Sequence, residues 1–105
     1  DGSFREIEAP QFEFGILPAG NLYSTVGDLA RFALCLFNEG RTGGRALLRP
    51  ETLREMFTVQ LSGETNGFGL GFSLQTHRGL RTVGHSGAVY GFSSWFVAVP
   101  EHQLA

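Results

Sequence analysis

A histidine and a serine stand side by side between two glycines at residues 84–87, within the stretch VGHSGAVYGF. An imidazole can take or give a proton near neutral pH, and a serine hydroxyl can attack a carbonyl once a base removes its proton. Two chemistries fit this pair. In the first, Ser86 is itself the nucleophile, held on a sharp turn between a strand and a helix. The run GHSGA comes within one residue of G-x-S-x-G, the signature of such an elbow. In the second, the run is a strand that lines a site whose nucleophile lies elsewhere.

The flanking residues favour the second chemistry. The fifth motif position is Ala88 instead of glycine, and Tyr90, Phe92, Trp95, Phe96 and Val97 follow it. Such residues suit a strand and are poor helix formers, whereas the elbow needs a helix directly after its serine. Other chemistries find less. Gly67, Gly69 and Gly71 form G-x-G-x-G without the strand-turn-helix setting of a phosphate loop, so closely packed backbone is the better reading. His77 and His102 have no partners at metal-ligand spacing, and neither a metal nor a cofactor is expected. Cys35 is the one cysteine, which excludes an internal disulfide and reads as a small buried apolar residue. All eight basic residues are arginine, so no lysine base can come from these 105 residues.

The elements that must position the histidine and serine fall into two halves. Residues 24–40, STVGDLARFALCLFNEG, read as a helix with Thr25 as its cap and Asp28 three residues on, in the manner of a capping box. Leu29, Phe32, Ala33, Leu36 and Phe37 follow the spacing of one buried face, and Gly40 suits a left-handed stop. RTGGRA reads as a loop. RPETLREMF reads as a second helix, with Pro50 in its first turn and Glu51 at the positive end of its dipole. Before the first helix, QFEFGI alternates like a short extended piece, and PAGNLY reads as a turn. The second half holds three runs of β-type composition, FGLGFSLQT, LRTVGHS and GFSSWFVAV, separated by HRG and GAVYG. Two helices followed by an antiparallel meander make an α+β arrangement. Trp95 and the ten phenylalanines are expected in its core.

Bulk properties are those of one small globular domain: 42% apolar residues, net charge −2 and no long apolar run. That charge offers no basic patch for nucleic acid, and no run approaches the roughly 20 residues of a membrane span. The chain begins without methionine and ends at PEHQLA, where another apolar run starts, which suggests a piece of a longer domain.

Four segments carry a family resemblance: PAGNLYSTVGDLARF, LLRPETLREM, GFGLGF and GHSGAVYGFSS. In order and spacing they resemble the serine β-lactamase and penicillin-binding-protein superfamily, in its class C and esterase-like branch. The resemblance implies that residues 1–105 are a single partial domain, the C-terminal part of a β-lactamase/DD-peptidase-like fold. That family joins three motifs at its site: S-x-x-K with the nucleophile, a Y-x-N loop, and K-T-G or its H-T-G and H-S-G variants on a strand. His85, Ser86 and Gly87 match the third. The first two are absent here, since there is no lysine and neither Tyr23 nor Tyr90 is followed two residues later by asparagine. By resemblance, His85 and Ser86 take the catalytic-strand role. His85 is a donor near the tyrosine, and Ser86 is a partner for the substrate's carboxylate or another polar group. Gly87 keeps the strand clear for substrate, and Ala88 offers its N–H to an oxyanion. Arg49 departs from the family's usual Ser or Asp cap ahead of Pro50, a loss of about 1 kcal/mol in helix initiation.

The implied function is a part of a serine hydrolase that works through an acyl-serine on a small acyl substrate, whether a β-lactam, an ester or a D-amino-acid peptide. By itself the chain is expected to be inactive. Two alternatives stand beside it: a non-catalytic binding or interaction module on the same fold, and an α/β-hydrolase with Ser86 as nucleophile. Export to the periplasm or outside the cell is suggested by the family alone.

Overall fold

A computed structural model describes residues 4, 5, 7, 8, 15, 18–61 and 63–105. Apart from Gly15, QFEFGI lies outside the described residues. The first helix, α1, spans Val26–Phe37. Thr25 Oγ1 accepts the Asp28 amide at 3.2 Å and donates to Asp28 Oδ2 at 2.8 Å, so the expected capping box forms. Two left-handed residues end the helix, Glu39 (φ 54°) and Gly40 (φ 80°), and the Gly40 amide returns to the Cys35 carbonyl at 2.9 Å. The buried side is narrower than the sequence stripe. Ala33, Cys35 and Leu36 are buried, while Leu29 and Phe32 keep more than a third of their surface.

RTGGRA is a small hairpin and not a loop: β1 (Arg41–Thr42) pairs with β2 (Arg45–Ala46) around Gly43 and Gly44, both at positive φ. Helix α2 (Pro50–Met56) starts with no side-chain cap from Arg49, as expected. The meander follows as β3 (Gly67–Phe68), β4 (Ser73–His77), β5 (Leu80–Val89) and β6 (Phe92–Ala98), antiparallel in sequence order. Two expectations change here. FGLGFSLQT is split into two strands, because Gly69 and Gly71 turn the chain between them. Its Gly69 packs so tightly that a Cβ would land 2.0 Å from the Met56 carbonyl oxygen. GAVYG is not a separator as a whole, since β5 continues to Val89 and only Tyr90 and Gly91 form the turn.

The core is a row across the sheet. Leu74, Val83 and Ala98 stand opposite one another on β4, β5 and β6 and are almost wholly buried. Leu36 from α1, Leu53 from α2 and Phe72 close over them. The Phe32 ring lies 5.4 Å from Phe96 and Phe57 lies 5.2 Å from Phe72, so both helices cover one face of the sheet. Arg81 Nη2 donates to the Phe57 carbonyl at 2.6 Å, tying β5 to the end of α2. No helix among the described residues is long and apolar enough to cross a membrane.

Candidate active site

All four residues singled out in the sequence fall on the far half of β5. That half is unusual in having one partner only. Strand β4 pairs with β5 up to Ser73 opposite Gly84, and there the chain turns back toward β3. Strand β6 pairs with β5 from Val83 to Val89 without a bulge. Residues 85–89 therefore have a free edge on the β4 side among the described strands.

Main-chain directions along that edge follow from the ladder. The Thr76 amide donates to Asn66 Oδ1 at 2.8 Å, away from β5. Gln75 and Ser73 must then direct their main chain toward β5, to Thr82 and Gly84. Alternation gives Val83, His85 and Gly87 to β6 and turns the N–H and C=O of Ser86 and Ala88 outward. Side chains alternate too. His85 and Gly87 share the helix-covered face with Val83, and Ser86 and Ala88 point to the opposite one. By alternation the histidine and serine thus start from opposite faces and meet at the edge, where both line one concavity.

One bond joins them. His85 Nδ1 lies 2.6 Å from the Ser86 carbonyl oxygen, which can only accept, so the ring donates from Nδ1. In the neutral ring Nε2 is then an acceptor. Gly84 lets β5 reach this point: a Cβ there would meet the Phe96 carbonyl oxygen at 2.3 Å. At Gly87 the added atom would meet only Ser94 Oγ, at 3.3 Å.

On the opposite face a concavity of about 230 Å³ is lined by residues including Ser73, Gln75, Thr82, Ser86 and Trp95, and His85 reaches it from the edge. Trp95 is directly across from Ser86 and is 79% exposed, which corrects its assignment to the core. The helices cover the other face, where Phe96 packs. Sequence reasoning missed Gln75, Thr82 and Trp95 as neighbours of Ser86. The available signal was the near-continuous apolar run at residues 95–99, typical of a strand built to be covered on both faces. No group of acidic, histidine or cysteine residues among those described could hold a metal ion. Ser86 lies mid-strand and a strand follows it, so the strand-to-helix elbow is not formed.

Residues 2–105 match the β-lactamase family. The chain belongs to that family. As a β-lactamase family member it is also 32% identical over 101 residues to a human protein named "Putative beta-lactamase-like 1", an alignment covering 91% of this chain and 20% of that protein. The chain spans about a fifth of the length of this curated relative. No solved structure matches it significantly.

Proposed function

We propose that this chain carries the substrate-side strand of a β-lactamase-related serine hydrolase, which acts by acyl-serine transfer and hydrolysis on an amide, lactam or ester. The observation that supports the reading is the free edge of β5, where the Ala88 amide is turned outward. In acyl transfer a serine oxygen attacks the carbonyl, and the carbonyl oxygen becomes an oxyanion. A donor fixed in a strand stabilises that charge without reorganising, and one such donor is worth about 3 kcal/mol. The intermediate then expels its leaving group, and water hydrolyses the acyl-serine. By family resemblance the nucleophile, its lysine and the tyrosine come from S-x-x-K and Y-x-N motifs outside these 105 residues. With Nδ1–H committed to Ser86, a neutral His85 offers Nε2 as acceptor to that tyrosine's hydroxyl.

The test compares the full-length protein with the 105-residue chain, each treated with a fluorophosphonate, a chromogenic β-lactam and a p-nitrophenyl ester. The expected label falls on a serine outside the chain, and the chain alone stays unlabelled. Specific labelling of Ser86, abolished by Ser86→Ala, refutes the proposal. A full-length protein inert to all three reagents favours the binding-module reading.

A further inference from the structure

Asn66 is exposed and is followed by Gly67, the residue with which β3 begins. In an asparagine–glycine pair the glycine nitrogen can attack the side-chain carbonyl of the asparagine, because the glycine has no side chain to stand in the way. Here both reacting groups are engaged in hydrogen bonds. The Gly69 amide donates to the Phe72 carbonyl at 2.9 Å, and the Phe68 carbonyl accepts the Gln60 amide at 3.0 Å, on the side away from β4. Gly67 and Gly69 therefore turn their main chain toward β4. Gly67 and Leu74 are then the kind of pair that exchanges both N–H···O bonds, which occupies the Gly67 amide. The Asn66 side chain is fixed as well. Its Oδ1 accepts the Thr76 amide at 2.8 Å and so supplies the next rung of the ladder in place of a main-chain carbonyl.

We propose that Asn66–Gly67 is a site of spontaneous deamidation latched by the β3–β4 ladder, and that it reacts only when β3 opens. Hydroxide first takes the Gly67 amide proton. The nitrogen then bonds to Asn66 Cγ, the Cγ–Nδ2 bond breaks, and ammonia leaves with a proton from water, which closes a cyclic imide. Water opens that ring on either side. Breaking the bond from nitrogen to Cγ gives aspartate on an unchanged main chain. Breaking the bond to the main-chain carbonyl carbon gives isoaspartate, whose main chain runs through the former side chain and is longer by a methylene. The two products differ at the latch. A carboxylate oxygen of aspartate accepts the Thr76 amide as Oδ1 does, and its charge strengthens the bond. Isoaspartate moves Gly67 out of register with Leu74, at the first position of a strand of only 2 residues. The inference is independent of the acyl-transfer reading.

The experiment incubates the full-length protein at mildly alkaline pH, folded and in guanidinium chloride. Peptide mass spectrometry follows deamidation at Asn66, and an isoaspartyl methyltransferase counts the isoaspartate. Reaction is expected in denaturant. In the folded protein it should be slower by roughly 30-fold or more, the size of two ordinary hydrogen bonds. Hydrogen exchange at the Gly67 amide needs the same opening and the same loss of a proton, so it should be slowed by a similar factor. Asn66→Asp, which installs the main-chain-preserving product, should keep the Thr76 amide protected. The isoaspartyl fraction should lose protection at both Gly67 and Thr76. No deamidation of Asn66 in denaturant, or equal rates folded and unfolded, overturns the proposal. A folded protein that resists deamidation while its Gly67 amide exchanges freely also overturns it, because the ladder is then not the latch. A freely exchanging Thr76 amide in folded Asn66→Asp, or full protection in the isoaspartyl fraction, overturns the assignment of Asn66 Oδ1 as a rung.

Discussion

Gly84→Ala and Gly87→Ala are the same chemical change three residues apart on one strand, and the structure assigns them very different costs. At Gly84 the new methyl would sit 2.3 Å from the Phe96 carbonyl oxygen, 3.1 Å from the Val97 Cα and 3.3 Å from the Phe96 carbonyl carbon. All three are backbone atoms of the paired strand, so no side chain can swing aside. Relief needs β5 and β6 to part by nearly an ångström. Gly84 is also held on its other side by Ser73, and Val83 beside it is in the core row. Overpacking of this kind costs about 1–3 kcal/mol where side chains can adjust, and a backbone clash belongs at or above the top of that range. At Gly87 the methyl meets only Ser94 Oγ at 3.3 Å, the tip of an exposed side chain on a half-free strand. Neither glycine has a positive φ, so alanine incurs no conformational strain at either. The lower unfolded-state entropy of alanine returns about 0.4–1 kcal/mol, leaving Gly87→Ala close to neutral. Urea unfolding of the full-length protein, followed by far-UV circular dichroism, measures both. A Gly84→Ala midpoint equal to wild type, or a Gly87→Ala loss as large as that of Gly84→Ala, refutes the β5–β6 register on which the edge depends.

Thr25→Ala removes the α1 cap and should cost about 1 kcal/mol in the same unfolding assay. Leu36→Ala opens the core beneath the row of Leu74, Val83 and Ala98, and should cost about 2–5 kcal/mol; a neutral result would mean α1 does not bury that side. The Thr25 hydroxyl and main-chain N–H, with Arg31 beside them, hold the Asp28 carboxyl below its ordinary value of 3.8. Its contribution to α1 is therefore complete above that value and fades as pH falls through the lower folded value. In Asp28→Asn the acid-limb dependence of the unfolding midpoint should flatten, and an unchanged acid limb would deny the box a role. If the full-length protein has the proposed acyl-transfer activity and the imidazole takes part in proton transfer, His85→Ala should lower its kcat/KM by roughly 10²-fold, whereas Ser94→Ala should leave the rate nearly unchanged. Wild-type rates for a folded His85→Ala protein from about pH 5 to 9 would leave His85 only a structural role.

The helices were legible because their signals are local. Thr25 and Asp28 lie within one turn, and Pro50 sets its own φ. The hairpin at Arg78 and Gly79 was legible for the same reason, since a two-residue turn with both φ positive matches strand twist. By that rule Gly43 and Gly44 also advertise a hairpin, and RTGGRA shows that two residues of strand on each side are too few for composition to register. The split at Gly69 was hidden because its cause is tertiary: the Met56 carbonyl, thirteen positions earlier, fills the space a side chain would need. Trp95 went astray because alternation identifies an inner face only when the other face is polar, and β6 is apolar on both. The four candidate residues were singled out by motif. That they meet at an edge, with His85 bent back on the Ser86 carbonyl, depends on where β4 stops, which no residue of β5 encodes.

That overhang of β5 past β4 carries a hazard as well as a use. Unpaired outward N–H and C=O groups are a template on which any extended chain can add a strand, including another copy of β5. Ordinary guards against such pairing are lysine or proline on the edge, and residues 85–89 hold neither. What they hold is a histidine that donates to one of the two outward carbonyls, on a stretch only five residues long. Only Ser86 and Ala88 turn their main chain outward on it, so a strand added there would gain at most four ladder hydrogen bonds.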